Sequence, residues 1–220
     1  AESLNTLSGI SVLGHEILNG ARPVWIEPES TLFWRGQDFN ELYMVGDGAL
    51  KTSNVDLDGN ERVRGFHFTG DLVGLDAIAS GRHHCNAVAL ERTLVYRVPF
   101  SQLTDVMARG SRASAELFRW VSGEILAAVQ ISHDYPAEQR LARFLLEMAR
   151  KAPDPVRPDR VHLIMSRGDI GNYLRMATET VSRNLSRLSR QGLIAIRGRD
   201  IDLLDREGLN RLAEPVLSNE

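Results

Sequence analysis

The sequence predicts an α+β fold, and three observations predict it. Short apolar runs separated by glycine turns fill residues 1–100. A charge-free apolar stripe at helical period follows. Residues 137–220 then hold short helices and an Arg-rich hairpin. The 220 residues are 43% hydrophobic and 25% charged, which allows two modest domains, each with its own core. No apolar run reaches membrane-spanning length and no secretory signal is visible. The single cysteine, Cys85, excludes an internal disulfide framework and fits a reducing compartment, so the expected location is cytoplasmic.

Thr31–Trp34, Glu41–Val45, Ala49–Thr52, Arg62–Phe68 and Leu94–Val98 read as strands. Between them stand the turn signals Arg35-Gly36, Gly46-Asp47-Gly48, Asp58-Gly59-Asn60, Thr69-Gly70-Asp71 and Ser80-Gly81. This regular spacing predicts an antiparallel roll or barrel.

From residue 101 to about 134 the period changes. Leu117, Val121, Ile125, Ala128 and Ile131 fall at i, i+4, i+8, i+11 and i+14, which predicts one long helix. Such a stripe has to be buried, and a second copy of the chain is the simplest cover. Packing on its own β-domain is the alternative. Pro136 separates this helix from another over Ala137–Lys151, whose apolar positions are Leu141, Phe144, Leu145 and Met148. Pro153–Pro158 reads as a loop.

Ser166-Arg167-Gly168-Asp169 has capping-box spacing. It opens a short helix through Leu174, with Ile170, Gly171 and Leu174 inward and Gly171 admitting a second helix closely. After a turn at Arg175–Ala177, Thr178 is expected to cap the next helix and Gly192 to end it. Val181, Leu185 and Leu188 form that helix's apolar stripe. Glu179, Ser182, Arg183, Ser186, Arg187 and Arg190 share the opposite face. Leu193–Ile196, Arg197–Asp200 and Ile201–Leu203 read as strand, turn, strand, and a last helix near Glu207–Leu217 closes the chain. The order is that of a helix-turn-helix with a hairpin wing.

A helix face of guanidinium groups, hydroxyls and one carboxylate suits a DNA major groove. Arg175, Thr178, Thr180, Arg187, Arg190, Arg197 and Arg199 are expected to meet the DNA backbone. The net charge is −3, but residues 137–220 hold 15 Lys and Arg against 12 Asp and Glu, and the remainder carries −6. Within Arg175–Arg199 six arginines face one acid, Glu179, and such a concentrated patch matters more than the total. A solvated amphipathic helix would explain the charged face alone. It does not explain the capping box, the close-packing glycine and the basic hairpin in sequence.

The chain resembles the Crp/Fnr family of bacterial transcription regulators. The resemblance rests on Gly65–Ile78, Ser122-Gly-Glu-Ile125, Arg140-Leu-Ala-Arg-Phe144 and Met165–Leu174, and is nearest to the Fnr branch. It implies a cyclic-nucleotide-binding-like β-roll over residues 1–100, a dimerisation helix over 101–135 and a winged helix-turn-helix over 136–220. It implies a homodimer on a palindrome of TTGAT-like half-sites in double-stranded DNA, with RNA polymerase as a further partner and no membrane. The branch reads bases with a Glu-x-x-Ser-Arg triplet, here Glu179, Ser182 and Arg183.

Departures from the family bear on the signal. The Fnr branch holds an iron–sulfur cluster on several N-terminal cysteines and one near the end of the roll. Residues 1–84 contain no cysteine, and Tyr96 occupies the position of the internal ligand, so no cluster is expected. The chain opens on Ala1 rather than Met, which leaves room for a preceding segment, and Tyr96 argues against a cluster in either case. The family's cyclic-nucleotide pattern of Gly-Glu-Leu and an Arg-Ser/Thr pair is broken across Gly70–Gly74 and Arg82–Asn86. An effector pocket is expected, if anywhere, near Gly70, Asp71, Arg82 and Trp120, and haem or another small ligand stays open. The family's usual glycine in the helix-turn-helix turn is Arg175 here, whose positive φ would cost on the order of 1 kcal/mol.

His67, His83, His84 and Cys85 together could suggest metal or haem, but the histidines are expected to be loop or surface residues, and no metal site is predicted. Nothing near Cys85 besides Arg82 and the histidines would lower its pKa, so it reads as no redox switch. Trp25, Trp34 and Trp120 are expected in the core or at an interface. No nucleophile motif, scaffolded carboxylate pair or phosphate loop is present, so an enzyme is a weaker reading. A ligand-binding module that no longer binds DNA is a third.

Overall fold

Glycines in the left-handed region close the strand connections as expected, at Gly36, Gly48, Gly59, Gly70 and Gly81. The computed structural model describes residues 12–56, 59–130 and 135–214. The chain divides into two compact units, Ala1–Ala127 and Ala128–Glu220. In the first, α1 (Val12–Leu18) precedes β1 (Arg22–Ile26), β2 (Thr31–Phe33), β3 (Glu41–Asp47) and β4 (Ala49–Val55). Then come β5 (Glu61–Phe68), β6 (Leu72–Val73), β7 (Asn86–Ala89) and β8 (Thr93–Pro99), followed by α2 (Phe100–Arg109) and α3 (Ser111–Gln130).

The strands form two antiparallel four-stranded sheets, ordered β1-β8-β3-β6 and β2-β7-β4-β5. One core cluster holds Phe33, Tyr43, Val45, Leu50, Val95 and the alanines of β7. The other joins Leu42, Met44, Leu72 and Val98 to Leu103 and Val106 of α2 and Ala113 of α3.

The expected single helix from residue 101 is two. Gly110 is extended at φ −152°, ψ 127°, and ends α2 before α3 begins. Glycine is the residue least suited to a helix interior, by roughly 1 kcal/mol against alanine, and here the chain turns at it. The apolar stripe of α3 splits as well. Leu117 and Trp120 pack on the β-unit's own core, whereas Val121, Ile125 and Phe118 remain exposed, Phe118 at 72%. Ala128 lies on α3, and Ile131 lies outside the described residues.

The second unit contains α4 (Ala137–Lys151), β9 (Arg160–His162), α5 (Arg167–Tyr173), α6 (Thr178–Arg190), β10 (Ile194–Arg197), β11 (Asp200–Leu203) and α7 (Arg206–Ala213). Leu141, Phe144, Leu145 and Met148 of α4 are buried, and α4 packs against α6 and α7. The wing is a three-stranded sheet ordered β10-β11-β9: β9 pairs antiparallel with β11, and Arg160 of β9 adds hydrogen bonds to Asp202 of β11 at 2.7 and 3.1 Å. Asp205 caps α7 by accepting from the Gly208 amide at 2.8 Å. α7 ends at Ala213, short of the expected Leu217, which lies outside the described residues.

Candidate nucleic-acid interface

The capping box opens α5 as expected. The Asp169 amide donates to Ser166 Oγ at 3.0 Å, and the Ser166 amide donates to Asp169 Oδ2 at 3.1 Å. Gly171 is buried where a Cβ would stand 2.7 Å from the Met176 carbonyl oxygen, too close for any side chain without a backbone shift. Its absent side chain lets the α5–α6 turn fold back, and the Met176 amide donates to the Gly171 carbonyl at 2.8 Å. Arg175 sits in that turn at φ 53°, the left-handed conformation that the sequence implied.

One capping expectation is corrected. Thr178 is the first residue of α6, and Ala177 is its N-cap, without any side-chain hydrogen bond. Ala177 is extended at ψ 148°, and its carbonyl accepts from the amides of Thr180 and Val181, so the helix starts one residue earlier than a Thr178 cap would allow.

Val181, Leu185 and Leu188 are fully buried, which fixes the rotation of α6. Glu179, Ser182, Arg183, Ser186, Arg187 and Arg190 are all exposed. Thr180, Ser182, Arg183, Asn184, Ser186, Arg187 and Arg190 line a shallow groove along this face. Ser182 Oγ donates to the Thr178 carbonyl at 3.2 Å and Ser186 Oγ to that of Ser182 at 3.0 Å, so both hydroxyls are held back on their own helix. Arg183 reaches Thr180 Oγ1 at 3.3 Å and Arg187 lies 3.4 Å from Glu138 of α4.

Arg175, in the turn before α6, and Thr178, its first residue, are exposed. In the wing, Gly198 and Arg199 make the turn between Arg197 and Asp200. Arg197 Nε lies 3.5 Å from Asp202, and Arg199 donates to the Ile164 carbonyl at 3.2 Å, so both tip arginines are anchored within their own unit. Two cations escaped the sequence reading. Arg167 begins α5, and burial disfavours its charged form. Arg140 is buried in α4, four and eight residues before buried Phe144 and Met148. A charge on an apolar helical stripe is the signal that could have found it.

The residues proposed for an effector pocket each have local tasks. Gly70, at φ 92°, and Asp71, whose carboxylate accepts from the Phe68 amide at 3.1 Å, shape one turn. Arg82 pairs with Asp38 and donates to the Gly36 carbonyl, both at 3.0 Å. Trp120 packs against the β-unit core. His83 and His84 lie in the irregular stretch before β7, not on a strand, and His84 is exposed, but His83 is not a surface residue. It is buried and stacked on Phe33 with ring centroids 3.8 Å apart, and burial lowers its pKa. His67 is likewise buried, 3.0 Å from Thr52 Oγ1. The Cys85 thiol is buried and donates to Asp76 at 3.3 Å, and burial beside that carboxylate pushes its pKa up to about 12. Trp25 and Trp34 are exposed rather than in the core, and Arg92 covers the Trp25 ring at 4.2 Å. Among the described residues no group of three His, Cys, Asp or Glu side chains is arranged to hold a metal ion.

Such a fold, a two-sheet β-domain followed by a winged helix-turn-helix, defines a DNA-binding regulator with a sensor-type domain. Comparison with known proteins gives the family. Residues 23–110 match the cyclic nucleotide-binding domain and residues 139–212 the Crp-like helix-turn-helix domain. The chain is 37% identical over 192 residues to the fumarate and nitrate reduction regulatory protein of Escherichia coli strain K12, covering 86% of this chain and 77% of that protein. It is 36% identical, with the same coverage, to the fumarate nitrate reduction regulatory protein of Klebsiella oxytoca. The solved structure of FixK2 from Bradyrhizobium japonicum superposes with a TM-score of 0.79 at 31% identity, covering 89% of this chain and 98% of that one. The chain belongs to the Crp/Fnr family and is a transcription regulator of that type.

Proposed function

We propose that the protein acts as a cytoplasmic homodimer that reads a palindrome of TTGAT-like half-sites, with Glu179, Ser182 and Arg183 on the bases. One observation carries the reading. The buried stripe of α6 turns these three side chains outward together, flanked by arginines, and Glu179 is the one acid that α6 itself carries. Arg183 donates to guanine, and Glu179 accepts from a cytosine amino group. Arg175, Thr178, Thr180, Arg187, Arg190, Arg197 and Arg199 lie along the phosphates, and RNA polymerase is the further partner. Dimerisation is supported by the exposed apolar residues Phe118, Val121 and Ile125 of α3. No described helix is long and apolar enough to cross a membrane.

The protein carries no iron–sulfur cluster in this reading, because its residues do not fit one. Cluster ligation needs several thiolates. The chain offers Cys85 alone, held as a buried thiol on Asp76, and Tyr96 fills the other position with a buried ring. Fluorescence anisotropy with a TTGAT-type palindrome and a scrambled duplex tests the DNA reading, and equal affinity for both defeats it. An absorption spectrum of anaerobically purified protein tests the other half. A brown sample with stoichiometric iron and sulfide, losing DNA binding in air, overturns it.

A further inference from the structure

Arg140 is the one arginine or lysine among the described residues that the second unit buries, at 9% exposure. Its Nε is sealed from solvent without a hydrogen-bond partner, and no carboxylate among the described residues pairs with it. The nearest candidate on its own helix, Glu138, lies against Arg187 instead. A guanidinium cannot shed its proton to escape burial, so the charge stays and asks for an anion.

The surroundings make this demand sharper. The charged neighbour that acts on Arg140 is Arg175, another cation, and burial and Arg175 both disfavour Arg140's charged form. Arg175 is itself held at φ 53°, a conformation that glycine adopts without strain. Two arginines thus stand near one another, one buried and one strained. Arg140 is the fourth residue of α4, and side chains on a helix lean toward its N-terminus, which puts the first turn within its reach. That turn is capped by Pro136 with no side-chain hydrogen bond, leaving amides that favour an anion. The same turn carries Glu138, in contact with Arg187, so it adjoins the exposed face of α6.

We infer that Arg140 and Arg175, with the first turn of α4, form a receptor for one phosphate of the DNA backbone at the turn between α5 and α6. This rests on the reading of α6 as the DNA-facing helix. The phosphate would supply the counter-charge that the free protein lacks, so the site gains most when the duplex is seated in register.

Duplexes carrying a single neutral methylphosphonate, scanned through the palindrome, test this. Wild type is expected to lose affinity at several phosphates. Arg140→Gln should bind the unmodified site about tenfold more weakly, the loss of one charge-assisted hydrogen bond. It should then be indifferent to neutralisation at one phosphate that penalises wild type, and its salt slope should fall by about one. A merely structural arginine would weaken binding without abolishing sensitivity at one phosphate. Should Arg140→Gln fail to fold by circular dichroism, Arg175→Gly carries the same test. A variant as sensitive as wild type at every phosphate overturns the inference. So does a site that inorganic phosphate fills, seen as a raised melting temperature lost in Arg140→Gln, without any such coupling to DNA. If wild type prefers no palindrome, the proposed function falls as well; if it does and the coupling is absent, this inference falls alone.

Discussion

Glu138 and Arg187 face each other where α4 packs on α6, with Oε1 3.4 Å from Nε. The carboxylate is largely buried, with 16% of its side chain exposed, against 60% for the guanidinium. Glu138 Oε1 accepts no aligned hydrogen bond, so the contact is one of charge alone. A DNA phosphate approaching Arg187 therefore competes with Glu138. Glu138→Gln keeps the shape and removes the competitor. It should tighten binding to all sequences by a few-fold, more at low salt than at high. Identical affinities across a salt series would mean that Arg187 does not meet the backbone.

On the proposed docking, base reading and backbone binding should separate by mutation. Glu179→Ala and Arg183→Ala should each cost about 1–3 kcal/mol and relax preference only at their own base pair. Arg199→Ala should weaken all sequences alike and lower the salt slope by about one. Selection from a randomised half-site reads both effects. An Arg183→Ala protein that keeps its sequence preference defeats the proposed orientation of α6.

Local signals made much of this legible beforehand. The bounds of α4 follow from its apolar spacing, α5 from Ser166 and Asp169, and the end of α6 from Gly192 at φ 74°. What stayed hidden depends on distant partners. β7 is recognisable only once Ala87 and Ala89 are seen buried between β2 and β4. β9 exists only by pairing with β11, where Arg160 meets Asp202, 42 residues away. The division of the α3 stripe could not be read from periodicity, since Leu117 and Ile125 look alike in sequence and differ only in what the β-unit covers. His83 sits in a polar run, and nothing local says that Phe33 will stack on it.

That division marks the face on which the proposed homodimer would pair. Phe118, Val121 and Ile125 are the large apolar residues α3 leaves exposed among those described. Ile125→Glu would place a carboxylate in an apolar interface and should leave a monomer by light scattering at micromolar concentration, with its melting temperature falling through lost association. A wild-type monomer under those conditions, or an Ile125→Glu dimer, would remove this face from the interface.

Gly171→Ala sets two effects against each other. Alanine in a helix gains about 1 kcal/mol over glycine. Here its Cβ would stand 2.7 Å from the Met176 carbonyl, so the turn has to move, and overpacking of this kind costs roughly 1–3 kcal/mol. The second effect should win, lowering stability and weakening DNA binding by displacing α6 from α5. A more stable Gly171→Ala protein on denaturant titration would show that the turn yields freely.

His83 should make the β-unit less stable in mild acid. Burial holds its pKa in the folded chain below the ordinary value of about 6.5, although Asp76 and Glu41 oppose the shift. Above that value both folded and unfolded chains hold a neutral imidazole, and His83 adds nothing to the pH dependence. Below it the unfolded chain takes up a proton that the folded one refuses. Stability therefore falls as pH drops from about 6.5 towards the folded pKa, and the loss levels off beneath it. His83→Phe retains an aromatic ring against Phe33 and removes the titration. Melting temperatures of the two proteins between pH 7.5 and 5.5 isolate the effect, because the other histidines are common to both. Wild type should lose ground to His83→Phe as the pH falls; parallel curves would mean that His83 takes up its proton without leaving the core.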